Sequence, residues 1–155
     1  MLDEGVKAPG FKLIDDTGKP LELGKFKRKP VVVYFYPKDD TSGCTAEAKD
    51  FSCMSDAFAA AGAQVIGISP DSAASHAKFK TKHGLSVILG ADEDKAAAEA
   101  YGVWVEKSMY GKKYMGVERS TFLIGKDGKI ARIWREVKVP GHAEEVLEAV
   151  KALKK

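Results

Sequence analysis

Only two cysteines occur in the chain, at positions 44 and 53. That scarcity excludes a disulfide-stapled secreted scaffold, which needs a dense set of cysteines in a short chain. No run of 18 apolar residues is present, so no helical membrane span is expected. The opening MLDEGVKAPG is acidic and has no apolar stretch leading to a cleavage site, which reads against a secretory leader and makes a cytoplasmic location the expectation. The formal charge is only +3 and aromatic residues are 9% of the chain, so neither a nucleic-acid partner nor a membrane surface is expected. The basic stretch GKFKRKP (24–30) has one aromatic and runs straight into a strand, and reads as a solvated loop. No G-x-x-x-x-G-K-[ST] phosphate loop exists, which leaves GKDGK as turn chemistry. No C-x-x-C exists either, because residue 47 is Glu, and the usual signature of a disulfide oxidoreductase is thereby missing. The histidines at 76, 83 and 142 lack metal-ligand spacing and read as surface side chains. With no repeat, low-complexity tract or long linker, the 155 residues are expected to form one domain, 1–155, around one core.

Helix and strand signals alternate along the chain. PVVVYFY (30–36) is an unbroken β-branched and aromatic run, as in a central strand covered on both faces. AQVIGIS (63–69) repeats that character, and between them CTAEAKDFSCMSDAFAAAG has the length of one helix with Phe51, Met54 and Phe58 on a shared face. Strand, helix and strand at this spacing form a right-handed parallel crossover. A second helix is expected from Asp71 or Ser72 to His83, then a short strand in SVILGA, then a helix in DEDKAAAEAYG whose leading carboxylates suit the helix dipole. VWVEKSMYGKKYMGVE reads as a loop, whose Trp104, Tyr110 and Tyr114 either line a site or pack on it. RSTFLIGKDGKIARIWR is a hairpin turning at Asp127–Gly128. The closing helix puts Ala143, Val146, Leu147, Val150 and Leu153 on one stripe. The sum is an α/β fold, a mixed sheet with helices on both faces.

Chemistry in such sheets gathers where central strands end and helices begin. Cys44 lies eight residues past Tyr36, at such a junction, where free backbone N–H groups and the positive helix end favour a thiolate. Gly43 lets a substrate approach the backbone, and Thr41 offers a hydroxyl. The plain alternative makes Cys44 a small buried hydrophobe beside a capped helix. The P-x-x-x-T-x-x-C arrangement of Pro37, Thr41 and Cys44 favours chemistry.

YFYPKDDTSGCTAEA resembles the active-site motif of the peroxiredoxins, in particular the peroxiredoxin Q or bacterioferritin-comigratory-protein group. APGFKLIDDTGKPLEL, VIGISPDS and YGVWVEKSMYGKKYMGVERSTFLIGKDGKI extend the likeness over most of the chain. The resemblance implies a thioredoxin fold with an N-terminal hairpin. It also implies a peroxidase that reduces hydrogen peroxide and organic hydroperoxides with a thiol donor (thioredoxin, glutaredoxin or a small thiol) and with no metal, haem or flavin. A monomer is expected from the same source. Carried over, Cys44 is the peroxidatic cysteine, Thr41 positions the peroxide, Pro37 shields the nascent sulfenic acid, Arg119 approaches the sulfur from another strand, and Glu47 orients Arg119. Members of this group carry a resolving cysteine at positions that here hold Lys49 or, on the next helix, Lys80; Cys53 is the one remaining candidate. Nine helical residues separate it from Cys44, about 13.5 Å along the axis, against a disulfide limit of roughly 7 Å between Cα atoms. One-cysteine behaviour is therefore preferred over resolution by Cys53. The competing reading is a thioredoxin-fold redox sensor or binding module that relays oxidation to a partner protein.

Overall fold

The structure is a computed structural model describing residues 2–26 and 28–153. Nine strands and five α-helices follow one another as β1 (Lys12–Asp15), β2 (Pro20–Glu22), β3 (Val31–Phe35), α1 (Ser42–Cys53), α2 (Ser55–Ala60), β4 (Gln64–Ser69), α3 (Ala73–His83), β5 (Ile88–Ala91), α4 (Ala96–Ala100), β6 (Trp104–Met109), β7 (Lys112–Val117), β8 (Ser120–Ile124), β9 (Ile130–Trp134) and α5 (His142–Lys151) among the described residues. Seven strands form one sheet in the order β2-β1-β5-β4-β3-β8-β9. Its centre, β5-β4-β3, is parallel, while β1 and β8 join it antiparallel on either side. Strands β1 and β2 are the expected N-terminal hairpin.

Alternation along β3 divides the core. Val32, Tyr34 and Tyr36 face α1, α2, α3 and α5, packing with Phe51, Phe58, Phe79, Val146 and Val150. Val31, Val33 and Phe35 face the other way, onto Ala97 and Ala98 of α4, Tyr101 just after it, and Phe11. A strand buried on both faces cannot show a polar alternation, which is why it reads as an unbroken apolar run. Each such side chain contributes roughly 1.5–3 kcal/mol on burial. The second helix begins as expected, with the Ser72 hydroxyl accepting from the Ser75 N–H, and ends at Gly84 with a left-handed φ of 60°, a conformation glycine adopts without strain.

Two expectations need correction. The helix read between β3 and β4 is two helices, because Met54 (φ −99°, ψ 8°) leaves helical geometry and α2 restarts at an angle that brings Phe58 into the same core as Phe51. The segment read as a loop, 103–118, is the antiparallel hairpin β6–β7, a separate two-stranded sheet. It turns at Tyr110 (φ 52°) and Gly111 (φ 78°), the two left-handed residues of a tight two-residue turn whose twist matches the strands. Most of its side chains are exposed, so no apolar alternation marks it in the sequence.

Candidate active site

Strand register assembles the site. Phe35, the last residue of β3, pairs with Ser120, the first of β8. Arg119 therefore lies beside the carboxyl end of β3, where the chain turns into α1. Cys44 sits in the first turn of α1 and is 1% exposed. The first helical bond runs from Thr45 N–H to the Thr41 carbonyl, so the amides of Gly43 and Cys44 are the free N–H groups of a helix start. Glu47 is one turn further on the same face.

These three side chains meet. Arg119 donates through Nη2 to Cys44 Sγ at 3.3 Å and through Nη1 to Glu47 Oε1 at 2.7 Å. The planar fork of a guanidinium can serve a sulfur and a carboxylate at once. Its own burial disfavours its charge, yet Glu47 and Cys44 hold it above the usual arginine range. Gly43 makes the approach possible: a Cβ there would lie 3.1 Å from Arg119 Nη2. The glycine thus makes room for the arginine, where the sequence suggested room for substrate.

Glu47 is strained electrostatically. Its side chain is 2% exposed, and Oε2 has no hydrogen-bond partner. Burial pushes its carboxyl up to about 7, although Arg119 pulls it down. A folded-state value above the ordinary 4.5 means that the folded protein holds a proton which the unfolded chain releases. The stabilisation is complete below pH 4.5 and is lost as pH rises through about 7, to the extent of about 3 kcal/mol. Glu47→Gln is expected to flatten that decline. Urea unfolding of both proteins from pH 4.5 to 8 measures it, and parallel curves would refute the assignment.

Thr41 precedes α1 in extended geometry (φ −90°, ψ 157°) without a side-chain cap; its hydroxyl donates to the Lys38 carbonyl at 3.0 Å. Pro37 is half-buried, two residues past the end of β3. Cys53 ends α1 and is exposed, on a helix whose other end carries the buried Cys44. Lys49 is exposed on α1, and Lys80 on α3 is paired with Asp16 at 3.2 Å.

Sequence reasoning missed several groups around this centre. Lys107, on β6, is half-buried and donates to the Val117 carbonyl; burial, then the nearby Arg119, lowers it, while Glu118 and Cys44 act the other way. It is a second cation near the sulfur, concealed by the reading of its segment as loop. Tyr110 is 98% exposed at the hairpin tip and Tyr114 is 44% exposed, so neither packs on the site, whereas Trp104 packs against the core beside α4. The surface assignment fails for His76 and His142, 0% and 5% exposed. His142 Nε2 pairs with the Thr121 hydroxyl at 2.8 Å, and burial pushes the ring down to about 4. His76 lies three residues before Phe79, on the inward face of α3, which is the signal that could have revealed it. Its ring, Asp39 and Asp71 offer ligand atoms within 4.8 Å of one another. Tyr36, Ser69 and Ser75 hydroxyls already donate into those carboxylates, so a hydrogen-bonded network, not an open metal cage, occupies the spot. A cavity of about 820 Å³ lies at the opposite pole of the sheet, lined by Pro30, Gly62, Ile130 and Val150 among others, away from Cys44.

A parallel-centred sheet that presents a helix-start cysteine to a guanidinium from the neighbouring antiparallel strand defines a thioredoxin-fold peroxidase. The AhpC/TSA family model matches residues 5–133. Peroxiredoxin Bcp of Bacillus subtilis is 48% identical over 150 residues, covering 97% of this chain and 96% of that protein; peroxiredoxin Bcp of Escherichia coli is 41% identical with the same coverage of both chains. Among solved structures, a peroxiredoxin Q variant from Xylella fastidiosa superimposes with a TM-score of 0.93 at 38% identity, over 98% of this chain and 97% of the other. A bacterioferritin comigratory protein of Xanthomonas campestris, studied for alkyl peroxide reduction, has a TM-score of 0.90 at 41% identity over 97% and 98%. The chain belongs to the AhpC/TSA family, within its peroxiredoxin Q/Bcp branch, and has the fold and the thiol peroxidase activity of a peroxiredoxin. No helix among the described residues is long and apolar enough to cross a membrane.

Proposed function

We propose that Cys44 is the peroxidatic residue of a thiol-dependent hydroperoxide reductase. The observation that supports it above others is the 3.3 Å contact of Arg119 Nη2 with Cys44 Sγ, the same guanidinium being held by Glu47. The thiolate attacks the terminal oxygen of ROOH; an S–O bond forms, the O–O bond breaks, and its electron pair leaves on RO⁻, which takes a proton to give ROH. Arg119 holds the sulfur as its reactive anion and stabilises negative charge as it moves onto the departing oxygen. Thr41 positions the peroxide once its hydroxyl turns from the Lys38 carbonyl, and Pro37 shields the sulfenic acid. A reducing thiol then attacks the sulfenic sulfur with loss of water, and a second thiol releases Cys44 from the mixed disulfide.

Cys53 sits nine residues along the same helix, and about 13.5 Å of axial rise makes a bridge to Cys44 possible only if α1 unwinds. External thiols such as thioredoxin, glutaredoxin or a small thiol are accordingly the preferred reductants, acting in the cytoplasm. The alternative of a redox relay is met by turnover: a relay oxidises once per partner, whereas a peroxidase cycles with excess peroxide and a general thiol. One equivalent of hydrogen peroxide followed by a dione reagent is expected to label Cys44; label on Cys53 alone would refute the assignment. Non-reducing peptide mapping is expected to lack a Cys44–Cys53 bridge, and its presence would overturn the one-cysteine preference.

A further inference from the structure

Pro37 and Thr41 lie in the loop that joins β3 to α1. Thr41's one described side-chain bond stays within its own loop, to the Lys38 carbonyl. Between them lies Asp39, 7% exposed, and it is tied to three other segments. Its Oδ1 accepts from the Tyr36 hydroxyl at 2.6 Å; its Oδ2 accepts from Ser75 Oγ at 2.8 Å and meets His76 Nδ1 at 2.8 Å. Its backbone N–H donates to Asp71 Oδ2 at 2.8 Å, which also accepts from Ser69 Oγ at 2.6 Å.

Proton counting makes the histidine contact strong. His76 Nε2 faces the Gly90 carbonyl at 2.9 Å, an acceptor only, so that nitrogen must donate. The Tyr36 hydroxyl lies 3.3 Å from His76 Nδ1 but 2.6 Å from Asp39 Oδ1 and donates to the nearer oxygen, so the Nδ1–Oδ2 contact must contain a proton of its own. A short hydrogen bond, out of water, therefore runs from α3 to the loop ahead of Cys44. One residue later Asp40 reaches the same helix, contacting Lys82 Nζ at 2.6 Å and His83 Nε2 at 2.8 Å. Its side chain is 42% exposed, and exposed pairs of this kind hold little. The buried tie and the exposed one thus form a built-in comparison on adjacent residues.

We propose that Asp39 and His76 are positioning residues of the peroxide site: their buried contact holds the Pro37–Thr41 segment closed over Cys44, and releasing it exchanges reactivity toward peroxide for access by reducing thiols. The inference rests on Cys44 being peroxidatic.

The test uses the Cys53→Ser protein, so that only Cys44 reports. Stopped-flow tryptophan fluorescence gives the rate of oxidation by hydrogen peroxide, then the rate at which dithiothreitol reduces the sulfenic acid. Asp39→Ala is expected to slow oxidation roughly 10- to 100-fold while speeding reduction several-fold. Asp39→Asn keeps a carbonyl oxygen for the Tyr36 hydroxyl and turns its NH2 to the side shared by Ser75 and His76, where it offers one N–H to His76 Nδ1 and one to the Ser75 oxygen, and is expected to recover most of the oxidation rate. Asp40→Asn is expected to leave both rates within about twofold. Should Asp39→Ala fail to fold, His76→Gln takes its place with the same opposed shifts expected. An unchanged oxidation rate, or both rates falling together as in a general loosening, overturns the proposal. If the parent protein itself shows no oxidation of Cys44 by peroxide, the peroxidase assignment falls and takes this inference with it; a reactive parent with unaltered variants refutes the positioning role alone.

Discussion

Cys44→Ser is expected to abolish peroxide reduction, by a factor on the order of 10⁵ or more, as for removal of other enzymes' single nucleophile. A cysteine attacks peroxide as its thiolate. A serine hydroxyl keeps the position but has no comparable anionic population, and nothing among the side chains meeting Cys44 is a base able to remove its proton: Arg119 is a cation and Glu47 is already engaged by that cation. Loss of activity through misfolding is separable. Serine fills nearly the same volume and its oxygen can accept from Arg119 Nη2, so the unfolding midpoint should move little compared with the loss in rate. Consumption of hydrogen peroxide with dithiothreitol, measured beside thermal unfolding, checks both statements. Residual turnover above a hundredth of the parent rate would mean that Cys53 or another group carries the reaction.

What the sequence made legible follows from how each signal arises. The apolar run of β3 and the crossover to β4 are local patterns of burial, and they announce a parallel sheet without any knowledge of partners. Cys44 at a strand-to-helix junction is equally local. Arg119 is different: nothing near residue 119 says that it reaches residue 44, because the contact depends on β8 pairing antiparallel with β3 in the register Phe35 to Ser120. It came only from the family likeness. The β6–β7 hairpin was hidden for the opposite reason, since a two-stranded ribbon that is exposed over most of its length and meets the core only at its base has too short a buried side to show an alternation. Asp39 escaped because a buried polar residue in a loop is intelligible only with its partners, and His76 lies 37 residues away in sequence. Helix propensity likewise runs straight across Met54, and only the packing of Phe58 beside Phe51 requires the break.

Arg119→Met is expected to slow Cys44 oxidation by roughly 10²- to 10³-fold, the usual consequence of deleting one preorganised donor to a developing anion. The same change strands Glu47. A buried carboxylate that loses its cation ordinarily destabilises a fold by about 3–5 kcal/mol, but Glu47 can avoid that by keeping its proton. Burial already pushes it to about 7 with Arg119 pulling against it, and without the guanidinium it rises further. The variant should therefore be nearly as stable as the parent at pH 5 and markedly weaker at pH 8, where the proton is harder to hold. Adding Glu47→Gln removes the stranded charge, so Arg119→Met/Glu47→Gln is expected to regain stability at pH 8 and to regain none of the lost rate. Urea unfolding at the two pH values and stopped-flow oxidation by hydrogen peroxide provide the two measurements. If the double variant recovered oxidation together with stability, Arg119 would be a structural partner of Glu47 and the electrostatic support of the sulfur would have to come from the helix amides or Lys107. If stability returns alone, the guanidinium acts on the reacting sulfur itself.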